Sequence, residues 1–176
     1  MRKLAILTFL AGALVTTAAF AQAMPNATVR EVMTKATLMT FNDANLTDNY
    51  EVFDALAAAP FSEQFPPEAL SDVFKVFRDE AIDLSAIVAF PPIEDPAPVI
   101  DADGYLQLAG YFETEPSYVT YELSFFADED GNWRVIGINV HVVPPEEMDA
   151  APDDTLKQQP ETQSHPGDAG SKPSRH

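Results

Sequence analysis

Three stretches in the second half of the chain alternate between apolar and polar positions, which is the pattern of half-buried β-strands. They run from Tyr105 to Phe112, from Tyr118 to Phe126 and from Arg134 to Val142. The predicted inward-facing positions are Leu106, Leu108, Phe112, Val119, Tyr121, Leu123, Phe125, Ile136, Ile138, Val140 and Val142. Short turns join the stretches, so they predict an antiparallel meander with one face on a core. Gly110 and Gly137 are candidate bulges, beyond which the two faces would exchange.

The first half of the chain carries apolar residues at spacings of three and four, which predicts amphipathic helices. We expect helices from about Thr28 to Asn45, from Tyr50 to Ala58 and from Pro66 to Glu80. Thr28 and Glu31 have the spacing of a capping box at the start of the first helix. Helices followed by a meander predict an α+β fold, with the N-terminal helices packed on a curved antiparallel sheet.

The segment Ser85–Phe90 fits either a strand or the tail of a helix. Pro91 and Pro92 end it in both cases, because proline lacks the N–H that either structure needs. We predict an extended segment at the edge of the sheet, where proline is tolerated. Val99 and Ile100 form a predicted short strand before the meander.

The two ends of the chain differ from the middle in composition. Residues 1–23 combine a basic start, an apolar run and the small-x-small sequence Ala21-Gln22-Ala23, which predicts a secretory signal peptide and a mature chain that begins at Met24. Residues 144–176 are rich in Pro, Asp, Glu, Gln, Ser and Gly and contain no aromatic residue, which predicts a disordered tail. The folded domain is therefore expected at residues 24–143.

The charge and the absence of cysteine narrow the possible functions. The formal net charge of −18 repels nucleic acid and anionic lipid, and the few basic residues are scattered, so we expect neither a nucleic-acid partner nor membrane association after cleavage. Without cysteine, no disulfide and no thiolate site can form. The leader predicts a bacterial protein that is periplasmic or secreted.

Several residues could carry chemistry, but each also has an ordinary structural explanation. The turn Asp128–Asn132 is rich in carboxylates, yet it lacks the spacing of a calcium loop, so we predict a solvated hairpin turn. The alternation places His141 on the solvent side of its strand. Asp43 and Asp83 lie where helices end, and capping explains both. The sequence predicts no catalytic set, no metal site and no cofactor.

Aromatic residues also lie on the predicted second face of the sheet. Tyr105, Tyr111, Tyr118, Trp133 and Val135 share this face if the strands alternate strictly. A face of this kind predicts an interface, and a homodimer is the simplest form. The alternative is a bulge that returns several of these residues to the core. Trp133 also fits a position over the end of the core or at the mouth of a pocket.

Four groups of residues resemble a known superfamily. They are residues 38–44 (LMTFNDA) with Asn49-Tyr50, residues 74–78 (FKVFR) with 82–85 (IDLS), residues 104–112 (GYLQLAGYF), and residues 131–138 (GNWRVIGI). Together with the order of helices and meander, they resemble the nuclear transport factor 2-like superfamily, often called cystatin-like, which includes polyketide cyclases and ketosteroid isomerase. More narrowly, they resemble an uncharacterised group of exported bacterial proteins with that fold.

The resemblance implies a cone-shaped fold with a pocket between the concave face of the sheet and the helices. Enzymes of the superfamily place a carboxylate there, often with a Tyr or His. The candidate ligand-binding residues in this chain are Asp43, Tyr50, Tyr111, Tyr121 and Trp133. The superfamily also often dimerises through the second sheet face.

Three hypotheses for function follow. The first is a non-enzymatic module that binds a small apolar ligand or a protein. The second is a small lyase, isomerase or cyclase that uses Asp and Tyr in the pocket. The third is a role in assembly through dimerisation. A desolvated carboxylate inside a cavity would favour the enzyme.

Overall fold

The computed structural model describes residues 23–149, in which helices cover one face of a curved, open antiparallel sheet. The helices are α1 (Ala27–Thr47), α2 (Glu51–Leu56), α3 (Ala59–Gln64), α4 (Pro67–Val73), α5 (Lys75–Asp79) and α6 (Pro145–Asp149), with a 3-10 helix at Ser85–Ala89. The strands are β1 (Ile93–Glu94), β2 (Val99–Ile100), β3 (Leu106–Phe112), β4 (Tyr118–Ala127) and β5 (Trp133–Val143). The predicted α+β class is confirmed.

Parts of two sequence predictions lie outside the described residues: positions 1–22 of the predicted signal peptide and positions 150–176 of the predicted tail. Between residues 23 and 149, no helix is both long and apolar enough to cross a membrane. The described part of the tail adds the short helix α6, where the sequence predicted no regular element. Pro145 fits a first helical turn, and Glu146 and Glu147 suit the positive end of the helix dipole.

The sheet has the order β1-β3-β4-β5, and β2 also pairs with β3. The alternation predicted for β3 and β4 is confirmed, because their inward residues are buried and their outward residues are more exposed. The buried inward residues are Leu106, Leu108, Phe112, Val119, Tyr121, Leu123 and Phe125. They form one core with the inner faces of α1, α2, α4 and α5.

A bulge in β5 changes which of its residues face the core. Ser124 pairs with Gly137, but the next residue of β4, Phe125, pairs with Val135, so Ile136 is an extra residue in β5. Residues before the bulge therefore have the opposite parity to those after it. Val135 is buried, and Trp133 packs against the core. The prediction that both lie on the second face is wrong, and the bulge alternative explains why.

Gly110, the other candidate bulge, lies in regular register opposite Tyr121. Its role is different from the predicted one. A Cβ atom here would overlap the carbonyl oxygen of Ile93 and would lie 3.0 Å from the Tyr121 hydroxyl oxygen. Glycine is therefore required because β1 approaches β3 closely at this point.

Helix α1 begins earlier than the capping-box pattern predicted. Asn26 is the N-cap, and its Oδ1 accepts a hydrogen bond from the Val29 amide at 3.0 Å. Thr28 lies inside the first turn and does not cap the helix. The helix ends where Asp48 adopts a left-handed conformation with φ of 52°.

The predicted single helix from Pro66 to Glu80 is two helices, α4 and α5, which meet at Phe74. Phe74 leaves helical geometry, and its ring packs edge-on against Phe41 with a centroid distance of 4.7 Å. Phe77 packs on the same ring at 5.1 Å. The helix therefore breaks at the residue that contacts α1, although the apolar pattern in the sequence continues through the break. Pro60, which follows the predicted helix from Tyr50 to Ala58, lies in the first turn of α3.

The prediction of an extended Ser85–Phe90 segment is wrong, because Ser85–Ala89 is a 3-10 helix. Asp83 explains the turn. Its Oδ1 accepts hydrogen bonds from the Ser85 amide at 2.9 Å and from Asn42 Nδ2 at 3.2 Å. Asn42 Oδ1 in turn accepts from the Leu84 amide at 2.8 Å, which fixes the segment on α1.

Candidate functional site

A cavity of about 250 Å³ lies between α1, α2 and the inner face of the sheet at the β4–β5 hairpin end. We call it the apolar cleft. Its lining residues are Val32, Met33, Ala36, Thr37, Thr40, Phe53, Leu56, Phe125, Trp133, Arg134 and Val135. Most of these are apolar, and none is a carboxylate.

Helix α1 forms one wall of the apolar cleft because its lining residues recur at helical spacing. Val32, Met33, Ala36, Thr37 and Thr40 share one face of the helix. The central pair, Ala36 and Thr37, have small side chains. Ala36 is exposed and Thr37 is half-buried, so their small side chains leave space beside the sheet that larger side chains would fill.

The bulge in β5 builds the opposite wall, because it turns Trp133 and Val135 toward α1. The backbone around the bulge also holds α2 in place. The Ala58 amide, just after α2, donates to the Val135 carbonyl oxygen at 2.7 Å, and Ala57 forms a parallel bridge with Val135. Phe53 of α2 is thereby fixed over the cleft.

The apolar cleft has a buried floor and an exposed rim. Phe53 and Phe125 are each 2% exposed, and Val135 is 6% exposed. Val32 on α1 is 61% exposed and Leu56 on α2 is 49% exposed. Large apolar side chains at a rim are unfavourable in water unless something covers them, so the exposure marks an entrance.

The polar groups of the lining have little capacity for acid–base chemistry. Thr40 donates its hydroxyl proton to the Ala36 carbonyl oxygen at 2.9 Å. Arg134 has outward parity in the β4–β5 register, and its Nε–H donates to Asp128 Oδ2 at 3.1 Å. The lining therefore offers an apolar surface with hydroxyl groups beside it, which suits binding.

Trp133 is the one predicted site residue that lines the apolar cleft. Tyr50 is buried in a different place, where its hydroxyl donates to Asn45 Oδ1 and accepts from Arg78 Nη1 at 3.4 Å. Burial raises the pKa of Tyr50. These bonds join α1 to α5, so this tyrosine has a structural explanation.

Tyr121 faces the core near the β1 edge and is 2% exposed. Its hydroxyl has no hydrogen-bond partner among the described residues. The Thr34 hydroxyl is near enough to favour the phenolate but makes no hydrogen bond of normal geometry. Burial raises the pKa of Tyr121 to about 12, so its hydroxyl is protonated at neutral pH. Arg30 and Glu94 lie close enough to act on it, and they bind each other through two hydrogen bonds of 2.7 and 2.8 Å.

The remaining predicted site residues lie on the surface. Asp43 is exposed on α1 and lines none of the described cavities. Asp83 is also exposed, and its hydrogen bonds from Ser85 lower its pKa. Tyr111 lies on the outer face, where its ring stacks on Tyr118 with a centroid distance of 5.8 Å. His141 is exposed, as predicted.

Tyr111 and His141 line a second, more polar cavity of about 210 Å³ on the outer face. Glu122 and Asn139 also line it, and Asn139 Nδ2 donates to Glu122 Oε2 at 3.2 Å. Between residues 23 and 149, no group of three or more His, Asp or Glu side chains is placed to hold a metal ion. This cavity therefore presents a polar surface, and Tyr121 also lines it.

The turn Asp128–Asn132 is the predicted hairpin turn. Asp128 Oδ1 accepts from the amides of Asp130 at 3.1 Å and Asn132 at 2.8 Å, and Gly131 has φ of 81°. Asp128 is thus the residue that organises the turn.

Sequence reasoning missed most of the cleft wall. Ala36, Thr37 and Phe53 were not candidate site residues, although the small pair in an otherwise apolar helix face was a usable signal. Val135 could be found only by placing a bulge in β5 instead of strict alternation.

Comparison of the chain with family models, curated proteins and solved structures finds no match. Membership of the nuclear transport factor 2-like superfamily stays a prediction. Function is therefore inferred from the geometry and charge of the site.

Proposed function

We propose that the protein is an exported, non-enzymatic binding module with a nuclear transport factor 2-like fold, which holds a small apolar molecule in the apolar cleft. The observation that carries the proposal is the cleft itself. It has a buried aromatic floor, an exposed apolar rim and no carboxylate in its lining. An apolar pocket with few polar groups is the usual form of a small-molecule site.

The volume of the cleft limits the size of the ligand. An apolar cavity of about 150 Å³ holds benzene, so a cavity of about 250 Å³ suits a somewhat larger ring or a medium-length alkyl chain. A ligand that buries roughly 400 Å² gains about 10 kcal/mol at about 25 cal/mol per Å². Association costs at least about 4 kcal/mol, so the tightest dissociation constant expected is on the order of tens of micromolar.

A small lyase, isomerase or cyclase is the second candidate, and the buried Tyr121 hydroxyl favours it. An unpartnered, protonated hydroxyl in a buried site can donate to a developing oxyanion. Against this, Asp43 and Asp83 are both exposed, and Tyr121 does not line the apolar cleft. The predicted Asp–Tyr pair is therefore not assembled in the cleft, and binding is the better-supported function.

The first experiment fills the cleft. Trp133 is the only tryptophan of the chain and lines the cleft, so its fluorescence reports occupancy. Titration with 1-octanol should give a saturable change in the wild type. Thr37→Phe should weaken this binding by about tenfold or more, because the ring occupies the space between α1 and Trp133.

Thr47→Phe is the matched control, since Thr47 lies on the same helix, is exposed and does not line the cleft. It should bind octanol like the wild type. Circular dichroism shows that both variants are folded. If octanol does not saturate the signal, or if the two variants behave alike, the cleft is not a binding site.

A further inference from the structure

We propose that the ligand of the apolar cleft is a hydrophobic cation, with an apolar body in the cleft and an ammonium group at the mouth beside the turn Asp128–Asn132. This inference rests on the proposed binding function and adds the chemical class of the ligand. Its support comes from the pairing of the basic residues, from the charge of the turn and from the aromatic lining.

The domain has a large excess of negative charge. Residues 24–149 contain 24 Asp and Glu residues but only five Lys and Arg residues, which gives a formal net charge of −19. A field of this sign raises the local concentration of cations and repels anions from every entrance to the domain.

Each of those five basic side chains already has a carboxylate partner. The pairs are Arg30–Glu94 at 2.7 Å, Lys35–Glu31 at 2.9 Å, Lys75–Asp79, Arg78–Asp48 at 3.3 Å and Arg134–Asp128 at 3.1 Å. Within residues 24–149, therefore, no Lys or Arg side chain is without an ion pair to receive an anionic head group. An amphipathic ligand with a carboxylate or phosphate would bring an uncompensated charge to the cleft.

The charge at the mouth has the same sign as the charge of the whole domain. Phe125 and Trp133 line the cleft and lie at the ends of the strands that the acidic turn connects. The turn carries Asp128, Glu129 and Asp130, and Arg134 compensates one of these three charges, which leaves a formal local charge of −2.

The position of Asp128 is fixed by its hydrogen bonds to the turn amides, which also lower its pKa. Asp128 therefore stays charged at neutral pH, and together with its ion pair to Arg134 it holds the turn in one geometry when a cation approaches.

The aromatic lining favours the same class of ligand. Trp133 presents an indole ring to the cleft, and an ammonium group over an indole face is attracted by the negative face of the ring. An aliphatic or aromatic amine thus gains binding free energy from burial of its apolar part, from the indole ring of Trp133 and from the negative charge of the turn. A neutral alcohol of the same length gains binding free energy chiefly from burial.

The test compares three probes with the same eight-carbon chain: octylamine, 1-octanol and octanoate. Trp133 fluorescence and calorimetry at low salt should show octylamine binding at least about fivefold tighter than octanol, with octanoate the weakest. The advantage of octylamine should shrink at about 0.5 M NaCl, because salt screens exposed charges.

A charge variant tests the role of the turn. Glu129→Gln with Asp130→Asn keeps Asp128, and so keeps the turn and the ion pair with Arg134. It should lower the ratio of octylamine to octanol affinity toward one. The control, Glu113→Gln with Glu115→Gln, removes two exposed carboxylates from the β3–β4 connection at the opposite end of the sheet and should keep the wild-type ratio.

The outcomes separate the two proposals. If octanol binds and octanoate equals or exceeds octylamine, the cation inference is wrong and the binding proposal stands. If the turn variant and its control give the same ratio, the turn is not the head-group site and the inference is also overturned. If no probe binds, both proposals fail.

Discussion

At the residue scale, Tyr50 and Tyr121 occupy equally buried positions with different hydrogen bonding. Each is 2% exposed. The Tyr50 hydroxyl joins Asn45 and Arg78, whereas the Tyr121 hydroxyl has no partner among the described residues. Burying a hydroxyl without a partner costs about 1–3 kcal/mol, so the same deletion should have opposite effects at the two positions.

Tyr121→Phe should therefore raise the free energy of unfolding by about 1 kcal/mol, since it removes a buried group with no partner. Tyr50→Phe should lower it by about 1–3 kcal/mol, because Asn45 Oδ1 is left buried without its donor. Urea unfolding of both variants measures the difference. A destabilised Tyr121→Phe would show that the hydroxyl has a bound partner, and would strengthen the enzyme candidate.

The position of a single residue was predicted correctly where a short-range sequence pattern determines it. The exposure of His141 and the hairpin turn at Asp128–Asn132 were predicted, because alternation and turn chemistry are short-range. The placement of Asp83 in a network with Asn42 was not, since that contact joins positions 41 residues apart. A single sequence does not show which distant amide will meet a carboxylate.

At the element scale, Gly110 shows how one absent side chain lets two strands meet. The Ile93 carbonyl oxygen occupies the position that a Cβ atom of residue 110 would take. The short strand β1, with the ion pair between Arg30 and Glu94, depends on this close approach.

Gly110→Ala should therefore destabilise the fold by roughly 1–3 kcal/mol or more, because it forces β1 away from β3. Gly137→Ala is the matched control, since its Cβ would meet only Ser124 at 3.3 Å, and should cost less. The thermal unfolding midpoints of the two variants measure the difference in stability. Equal midpoints would show that β1 moves away from β3 without loss of stability.

Strand β4 was predicted almost to the residue, because its alternation is uninterrupted over ten residues. The break at Phe74 and the 3-10 helix at Ser85–Ala89 were not predicted. Both occur where the chain contacts α1, and a local sequence pattern does not show such contacts. In β5 the glycine signal at Gly137 pointed to a bulge, but the extra residue is its neighbour Ile136. Trp133 was assigned to the wrong face because strict alternation was assumed through this position, whereas a bulge at either residue returns it to the inner face.

At the scale of the whole molecule, export by the N-terminal leader and the oligomeric state of the folded domain can be tested separately. Expressed with its own leader in a bacterial host, the protein should be recovered from the periplasm with Met24 as its first residue, because Ala21-Gln22-Ala23 suits signal peptidase. Intact mass spectrometry reads the new N-terminus. A full-length mass in the cytoplasmic fraction would contradict export.

The sheet face predicted to form a homodimer interface contains fewer aromatic residues than the sequence indicated. Trp133 and Val135 lie on the inner side of the sheet, while Tyr105 and Tyr111 keep aromatic surface on the outer side, with Tyr105 packed on Phe126 at 6.0 Å. The native mass spectrum of the same periplasmic sample reports the oligomeric state, and a monomer at high concentration would remove this proposal.

The general architecture was thus predictable, whereas Trp133 was the only residue of the cleft lining among the predicted site residues. Helices before a meander follow from local periodicity, whereas the apolar cleft depends on two small residues of α1 meeting a bulged strand and the backbone after α2. Those three segments are far apart in sequence, and no local pattern determines their alignment.

The extra residue in β5 also has a consequence for insertions and deletions. Because Gly137 already pairs with Ser124 and Val135 with Phe125, deletion of Ile136 would leave both pairs, and the inner positions of Val135 and Trp133, unchanged. If Ile136 were kept but paired with Phe125 in a regular ladder, Val135 and Trp133 would lie on the outer side and Arg134 would point into the core. A chain without Ile136 is therefore expected to keep this wall of the cleft, whereas one residue inserted between Trp133 and Val135 would turn Trp133 to the outer side.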